Sequence, residues 1–432
     1  MPLPAKLDSR ITLSRLYGVV RDNPSFRKLY AANAISQLGD WFNLVALFSL
    51  LLELTGKGES IALVLLTRLV PSFLIGPLGG VLADRLPRRA ILIVCDLLRA
   101  ALVLCLLFIR RPEQVWIAYA VMTAHSVVSW FFEPAQAALF PSLVPQEDLV
   151  LAGTLENSLW SVALAVGSAA GGVALALVGR DLSFVLDAAS FVASAAFIAG
   201  LPASPAPRSA VRAASQTRAP GGWADLREGA LYVANHRRVR ALLLVKSGFG
   251  LTLGGVLVLL AFFGERVFQK GNGAGISLLF TARGIGSFLG PFAAFRLVGH
   301  DPRALRRGIG WALALLLSCY VAFALSPGLW LAALALLLAN AGGSILWTYG
   351  SALLQQIVPD QIRGRVASAE FAGMTLAMSL STIVTGHLLD RGVAPRVLMA
   401  GCGLAALLPI AFWWSAQESF REAERGAAVG ES

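Results

Sequence analysis

An all-α membrane protein of twelve transmembrane helices, arranged as two pseudo-symmetric six-helix bundles, is the fold class this 432-residue chain predicts. Three observations predict it. Hydrophobic residues make up 56% of the chain and charged residues only 14%, with a mean hydropathy of +0.69. So few charges cannot cover the surface of a soluble domain of this size. Twelve segments approach the roughly 20 mostly apolar residues that a spanning helix needs. Finally, short signatures recur at an offset of 214 residues: Thr67, Gly76 and Pro77 return as Thr281, Gly290 and Pro291. Ala138-Leu139 and Val144-Pro145 return as Ala352-Leu353 and Val358-Pro359, and Glu156 returns as Glu370. One offset kept through separate segments describes a duplicated bundle, the usual build of secondary transporters.

The predicted spans are 29–54, 60–82, 90–109, 115–140, 153–178, 182–201, 241–263, 275–298, 306–325, 329–354, 367–389 and 396–414. They divide the chain into a cytoplasmic N-terminal segment (1–28), an N-terminal six-helix bundle (29–201), a linker (202–240), a C-terminal six-helix bundle (241–414) and a cytoplasmic tail (415–432). Residues 1–28 are polar and basic and lack the apolar core of a cleavable signal. The linker opens with a Pro/Ala/Ser/Arg-rich tether, 202–222. An amphipathic helix follows, with Trp223, Leu226, Ala230 and Val233 on one face, predicted to lie on the inner membrane surface.

The net charge of +11 is explained by topology. With both termini placed in the cytoplasm, 24 of the 36 Lys and Arg residues fall on the inner side and 8 on the outer. This three-to-one bias follows the positive-inside rule, so the charge is no argument for nucleic acid. The four cysteines all fall within spans and carry no disulfide or metal-ligand spacing.

Charge inside the spans marks the candidate chemistry. Asp40, Arg68, Asp96, Arg99, Asp187, Lys246 and Arg283 all lie within predicted helices. At roughly 3 kcal/mol each, lipid exposure of these charges would cost about 20 kcal/mol, so they pair or line a wet cavity. Asp40 falls near mid-depth of the first span. Asn33, Gln37, Asp40 and Asn43 share one face of that helix, an arc of about 120°, which predicts a cavity wall. Asp40 is therefore a proton-coupling candidate, with a static pair to Arg68 as the alternative. Asp187 is the second such candidate, or a partner for Arg68. Asp96 and Arg99, three apart, satisfy each other. Arg283, one position off the repeat of Arg68, either contacts an anionic substrate or balances a carboxylate. Lys246 is placed to snorkel. Glu133, Glu156 and Glu370 are read as interhelical hydrogen-bonding groups. The tenth span carries a polar stripe of Asn340, Ser344, Trp347, Thr348, Ser351 and Gln355. Gln37, Asn43, His125, Trp130, Asn340 and Trp347 are the substrate-cavity candidates, because aromatic faces with a few hydrogen-bonding groups suit bulky amphiphiles.

After the second span the chain reads Gly80-Val81-Leu82-Ala83-Asp84-Arg85-Leu86-Pro87-Arg88-Arg89. Here it resembles the major facilitator superfamily, whose loop at this place reads roughly G-x-x-x-D-R-x-G-R-R; Pro87 stands at the second glycine. The resemblance implies that Gly80, Asp84, Arg85, Arg88 and Arg89 form a gate between the halves. Further stretches, among them NPSFRKLYAANAISQLGDWFNLVAL and LLQQIVPDQIRGRV, look like the macrolide-efflux and siderophore-exporter branch of drug:proton antiporters. Many members carry G-P-x-x-G-G in the fifth span; this chain reads Gly167-Ser168-Ala169-Ala170-Gly171-Gly172, with serine in place of the kinking proline.

Gly284-Ile285-Gly286 and Gly248-Phe249-Gly250 follow no strand and read as helix-packing sites, and no P-loop or metal-binding motif occurs. The sequence therefore predicts no enzyme, no cofactor and no metal. It predicts a secondary transporter of the bacterial cytoplasmic membrane, with protons, a small molecule and lipids as partners, working as a monomer. By resemblance it is a proton-coupled exporter of hydrophobic or amphiphilic compounds. The alternatives are a siderophore exporter, a lipid flippase or a transporter-like sensor.

Overall fold

The computed structural model describes residues 13–69, 86–202, 223–269, 271, 273–298 and 301–430. Within them the chain is helical, and ten helices are long and apolar enough to cross a membrane. After a short helix at Leu13–Asp22, the first span runs Pro24–Thr55. Proline opens it at a position where no backbone donor is lost. Gly56 closes it in the left-handed region (φ 66°), returning its N–H to the carbonyl of Leu52. The second span begins at residue 58 and is described to residue 69. The third is Arg88–Leu104 with a tight turn at Cys105–Phe108, and the fourth is Trp116–Leu139.

The fifth and sixth spans form one helical run, Leu149–Ala199, broken only at Gly179 (φ 79°). Unbroken, its 51 residues would reach about 76 Å, more than twice the hydrocarbon thickness of roughly 30 Å. Glycine makes the reversal there because a side chain at that φ is strained. The helix passes through Ser168 without a break, as expected where serine replaces the kinking proline.

The connecting helix Trp223–Asn235 leads into the seventh span, Arg237–Phe262. This connector docks on protein. Gly229 lies against the backbone of Arg365 in the eleventh span, Glu228 pairs with Arg365, and Val233 is buried. Ala230, expected on the buried face, is exposed, because close approach to the eleventh span selects Gly229 for the contact.

The remaining spans are Ala274–Val298, Pro302–Leu325, Leu329–Ile357 and Asp360–Asp390, and then Pro395–Leu404 continued by Leu407–Gly430. Asp301 caps the ninth, accepting from the backbone N–H groups of Arg303 and Ala304. Small residues let the helices approach closely. Gly250 and Gly254 lie against Met374 and Met378, while Gly286 and Gly290 lie against Leu337 and Ala341. Gly290 belongs to the 214-residue repeat; its counterpart Gly76 falls outside the described residues. The repeat is visible at another pair. Glu156 accepts from Asn33 at 3.2 Å between the fifth and first spans, and Glu370 pairs with Lys246 between the eleventh and seventh.

Among the described residues, the start of the first span (Phe26) and the end of the last (Phe420) lie in small cores away from the main apolar cluster. At the opposite, distal end one apolar cluster joins both halves, from Leu44–Leu52 of the first span to Leu253–Leu260 and Phe263 of the seventh, with Ile276 and Phe280 of the eighth. Toward the termini the cores are separate: one gathers Leu29, Ile91, Phe132 and Ile198, another Val245, Ile309, Tyr349 and Phe420. The seam is thus packed at the distal end.

Polar contacts reinforce that closure. Asp390, ending the eleventh span, accepts from the backbone N–H groups of Gly58 (2.6 Å) and Glu59 (3.0 Å), which open the second. A carboxylate at a helix N-terminus meets both unpaired donors and a favourable dipole. His387 lies 2.8 Å from Glu59. Arg266 donates to the carbonyl of Leu52 at 2.8 Å, Ser49 to Glu265 at 3.2 Å, and Ser277 to the carbonyl of Ser168 at 2.6 Å.

Candidate functional site

The polar face predicted on the first span meets the fourth and sixth spans inside the N-terminal half. Asp187 is fully buried and faces the first helix. It accepts from Asn43 Nδ2 at 2.8 Å and lies 3.5 Å from the hydroxyl of its own-helix neighbour Ser190. Gly39 makes the approach possible: a Cβ there would lie 2.5 Å from Asp187 Oδ1 and 2.9 Å from Ser190 Cβ. Replacement by alanine therefore forces the first and sixth spans apart. Gly39→Ala is expected to destabilise the protein by about 1–3 kcal/mol, as overpacking does, and to impair transport. An unchanged thermal unfolding midpoint in detergent would contradict this packing.

Asp40, on the same turn, retains partial exposure, with 28% of its side chain open. Its nearest ionic neighbour is His125 of the fourth span, whose Nε2 lies 3.6 Å from Asp40 Oδ1. That separation is just outside hydrogen-bond length, and His125 Nε2 has no hydrogen-bond partner among the described residues. Its ring packs on Phe191 with centroids 5.6 Å apart. Arg68 interacts electrostatically with Asp40, His125 and Asp187 without a direct bond to them. Behind this group, Asp96 pairs with Arg99 at 3.4 Å and accepts from Ser194 at 2.6 Å. The Arg99 guanidinium lies over the ring of Phe132 at 4.2 Å. The structure thus gathers Asp40, Asp187, His125, Asn43 and Arg68 into one cluster backed by a neutralised Asp96–Arg99 pair. The arrangement is suited to holding and releasing a proton, because two carboxylates, one of them partly open, share a low-dielectric setting with a buried imidazole.

Other predicted residues have different surroundings. Gln37 is half-buried, its Oε1 unpartnered, and Trp130 is half-buried on the fourth span. Asn340 is buried and donates to the carbonyl of Leu336 at 2.9 Å, a bond within its own helix. Lys246, expected to snorkel, is only 2% exposed. It pairs with Glu370, donates to Ser351 Oγ at 2.8 Å and sits 4.5 Å over the ring of Trp347. The buried carboxylate of the eleventh span holds it inside. Glu156 and Glu370 bond between helices, whereas Glu133 has no such bond among the described residues. Arg283 is buried at the seam between halves, 5.5 Å from the ring of Trp160 on the fifth span.

Of the gating motif, Gly80, Asp84 and Arg85 lie outside the described residues. Arg88 donates to the carbonyl of Ala138 at 2.8 Å, and Arg89 donates to that of Ala199. Both carbonyls end helices of the same half, where a cation offsets the negative dipole end. In this arrangement the two arginines tie the N-terminal half together. The sequence reading missed the approach of His125 to Asp40 and the distal-end role of Asp390. A lone histidine and a lone helix-terminal aspartate carry no spacing signal.

Comparison with known proteins fits this architecture. A family model described as transmembrane secretion effector matches residues 20–426. The putative bacilysin exporter BacE of Bacillus subtilis is 25% identical over 388 residues, covering 88% of this chain and 93% of its own. Macrolide efflux protein A of Streptococcus pyogenes is 32% identical over 146 residues, 33% of this chain and 36% of its own. The chain spans about half (56%) of the B. subtilis MFS-type transporter YkuC, at 27% identity over 56% of this chain. Among solved structures, the nucleoside transporter NupG superposes with a TM-score of 0.69 over 90% of this chain and 98% of its own, at 15% identity. A bacterial homologue of the iron transporter ferroportin gives 0.69 over 94% and 99%, at 18%. With membrane-length helices through both halves of the described residues and a family match running nearly end to end, the chain is a multi-pass membrane protein that belongs to the transmembrane secretion effector family of the major facilitator superfamily.

Proposed function

We propose that this transporter is a proton-coupled exporter of hydrophobic or amphiphilic small molecules, working by alternating access in the bacterial cytoplasmic membrane with both termini inside. The observation that carries this reading is the cluster of the buried Asp187 and His125 with the half-buried Asp40, on three helices of one half. Intramembrane carboxylates without a tight cationic partner are costly and mark ion pathways. Asp40 keeps an open edge, so a proton has a way in and out.

Two further features support reading this state as the inward-facing one of the cycle. The positive-inside bias sets the terminus-bearing end in the cytoplasm. The seam is closed at the opposite end by the shared apolar cluster and by the Asp390 and Arg266 contacts. In this reading, cargo enters from the cytoplasmic side among the first, fourth, seventh and tenth spans. Cargo binding favours rocking of the halves, and release outside is followed by protonation of Asp40 and Asp187, which favours return. Each ligand acts only through unequal affinity for the two states. The names of two relatives, an efflux protein and an exporter, agree with this direction.

The test is uptake of a panel of dyes, macrolides and siderophores into inverted membrane vesicles, with and without an imposed pH gradient. Uptake driven by an acidic vesicle interior and collapsed by a proton ionophore is the expected result. Movement of compounds at equal rates with and without the gradient excludes proton coupling.

A further inference from the structure

Arg283 stands apart from the other buried cations. Arg99 has Asp96, and Lys246 has Glu370. Arg283 is 6% exposed and makes neither an ion pair nor a hydrogen bond among the described residues, and its Nε is buried without a partner. Its surroundings are aromatic. The guanidinium lies 5.5 Å from the ring of Trp160, Trp160 meets Trp41 edge-on at 6.1 Å, and Trp41 meets Phe280 at 6.2 Å. The fully buried Tyr320 of the ninth span, in electrostatic range of Arg283, also has an unpartnered hydroxyl. These groups come from both halves: Trp41 and Trp160 from the first and fifth spans, Phe280 and Arg283 from the eighth. Trp160 is 45% exposed, so part of its ring is not covered by other side chains.

We propose that Arg283 is the anion-recognition point of the cargo site, and that the cargo is an amphiphile carrying a carboxylate or similar acidic group beside a flat apolar body. A buried guanidinium without a counter-charge is costly, and an incoming carboxylate supplies one through short, charge-assisted hydrogen bonds in a geometry that matches the guanidinium fork. The apolar body lies against Trp160 and Trp41, whose faces take flat groups without demanding one structure. Because the two recognition elements lie on opposite halves, one bound molecule touches both and biases their relative position. This rests on the exporter reading and specifies its substrate class. Cargo occupies Arg283 on the outward half of the cycle, and protons occupy Asp40 and Asp187 on the return.

The experiment measures binding, so it is independent of coupling. Purified protein in detergent is titrated with naphthalene-2-carboxylate, naphthalene-2-carboxamide and naphthalen-2-ylmethylammonium, with tryptophan quenching as readout. The expected result is about tenfold or more tighter binding of the carboxylate than of the amide or ammonium, the size of one charge-assisted hydrogen bond. In Arg283→Gln this preference disappears while weak binding of all three remains; Arg283→Lys keeps part of it. Trp160→Leu weakens all three together and keeps the preference. Equal binding of the three probes by the wild type overturns the proposal, even if the Arg283 variants fail to fold. So does a carboxylate preference that survives in Arg283→Gln, or no binding of any probe. Proton-driven export of neutral or cationic compounds alone would leave the exporter reading standing and remove this one.

Discussion

Asp40→Asn and Asp187→Asn are each expected to reduce proton-driven uptake into inverted vesicles to the level of vesicles lacking the transporter, while exchange of labelled for unlabelled compound across the same membranes persists. Asparagine keeps the shape of aspartate and resembles its protonated form in charge, but it cannot lose a proton. A carrier locked in that form still binds cargo and rocks with it, so exchange survives. Net movement against a gradient needs the carboxylate to gain and lose a proton once per cycle. Asp187 is the more sensitive of the two to structure, because it is fully buried and accepts from Asn43 at 2.8 Å. In Asp187→Asn the new side chain meets Asn43 amide to amide, and turning it restores one hydrogen bond. If both variants lose exchange as well as gradient-driven uptake, the carboxylates are structural.

The second large effect concerns stability. Lys246 and Glu370 are buried together, with side-chain exposures of 3% and 10%. Glu370→Met is expected to cost about 3–5 kcal/mol, since removing one partner of a buried pair strands the other's charge. Lys246→Met is expected to cost a similar amount. The double variant Lys246→Met/Glu370→Met should recover most of the loss, because replacing the whole pair by apolar groups of similar volume is often neutral. Thermal unfolding of the four proteins in one detergent measures this directly. Equal, additive losses would mean that the two side chains do not act as a pair.

The fold was legible because bilayer thickness imposes a length on every apolar run and the duplication writes each half twice. The Gly179 reversal was equally open to reading, lying between two runs each long enough to span. Depth and facing of single side chains were harder. Asp40 on the first span and His125 on the fourth were each visible as intramembrane polar groups. Their 3.6 Å approach depends on how far one helix slides along another, which local pattern does not encode. Lys246 looked free to reach the headgroups because its partner lies 124 residues away on a helix brought close by Gly250 and Gly254. The resemblance implies a gate between the halves at Arg88 and Arg89, and in this structure each donates to a helix-end carbonyl of its own half. Any nearby helix C-terminus satisfies an arginine, and sequence does not say which one is nearest.

If a proton on the Asp40–Asp187 cluster drives export, removing its site must uncouple the transporter. The decisive comparison is uptake of the best-transported compound by wild type and by Asp40→Asn, in inverted vesicles under the same imposed pH gradient. The expected result is accumulation by the wild type that vanishes in the variant, with exchange intact in both. Accumulation that survives in Asp40→Asn, and in the Asp40→Asn/Asp187→Asn double variant, would contradict proton coupling through this cluster.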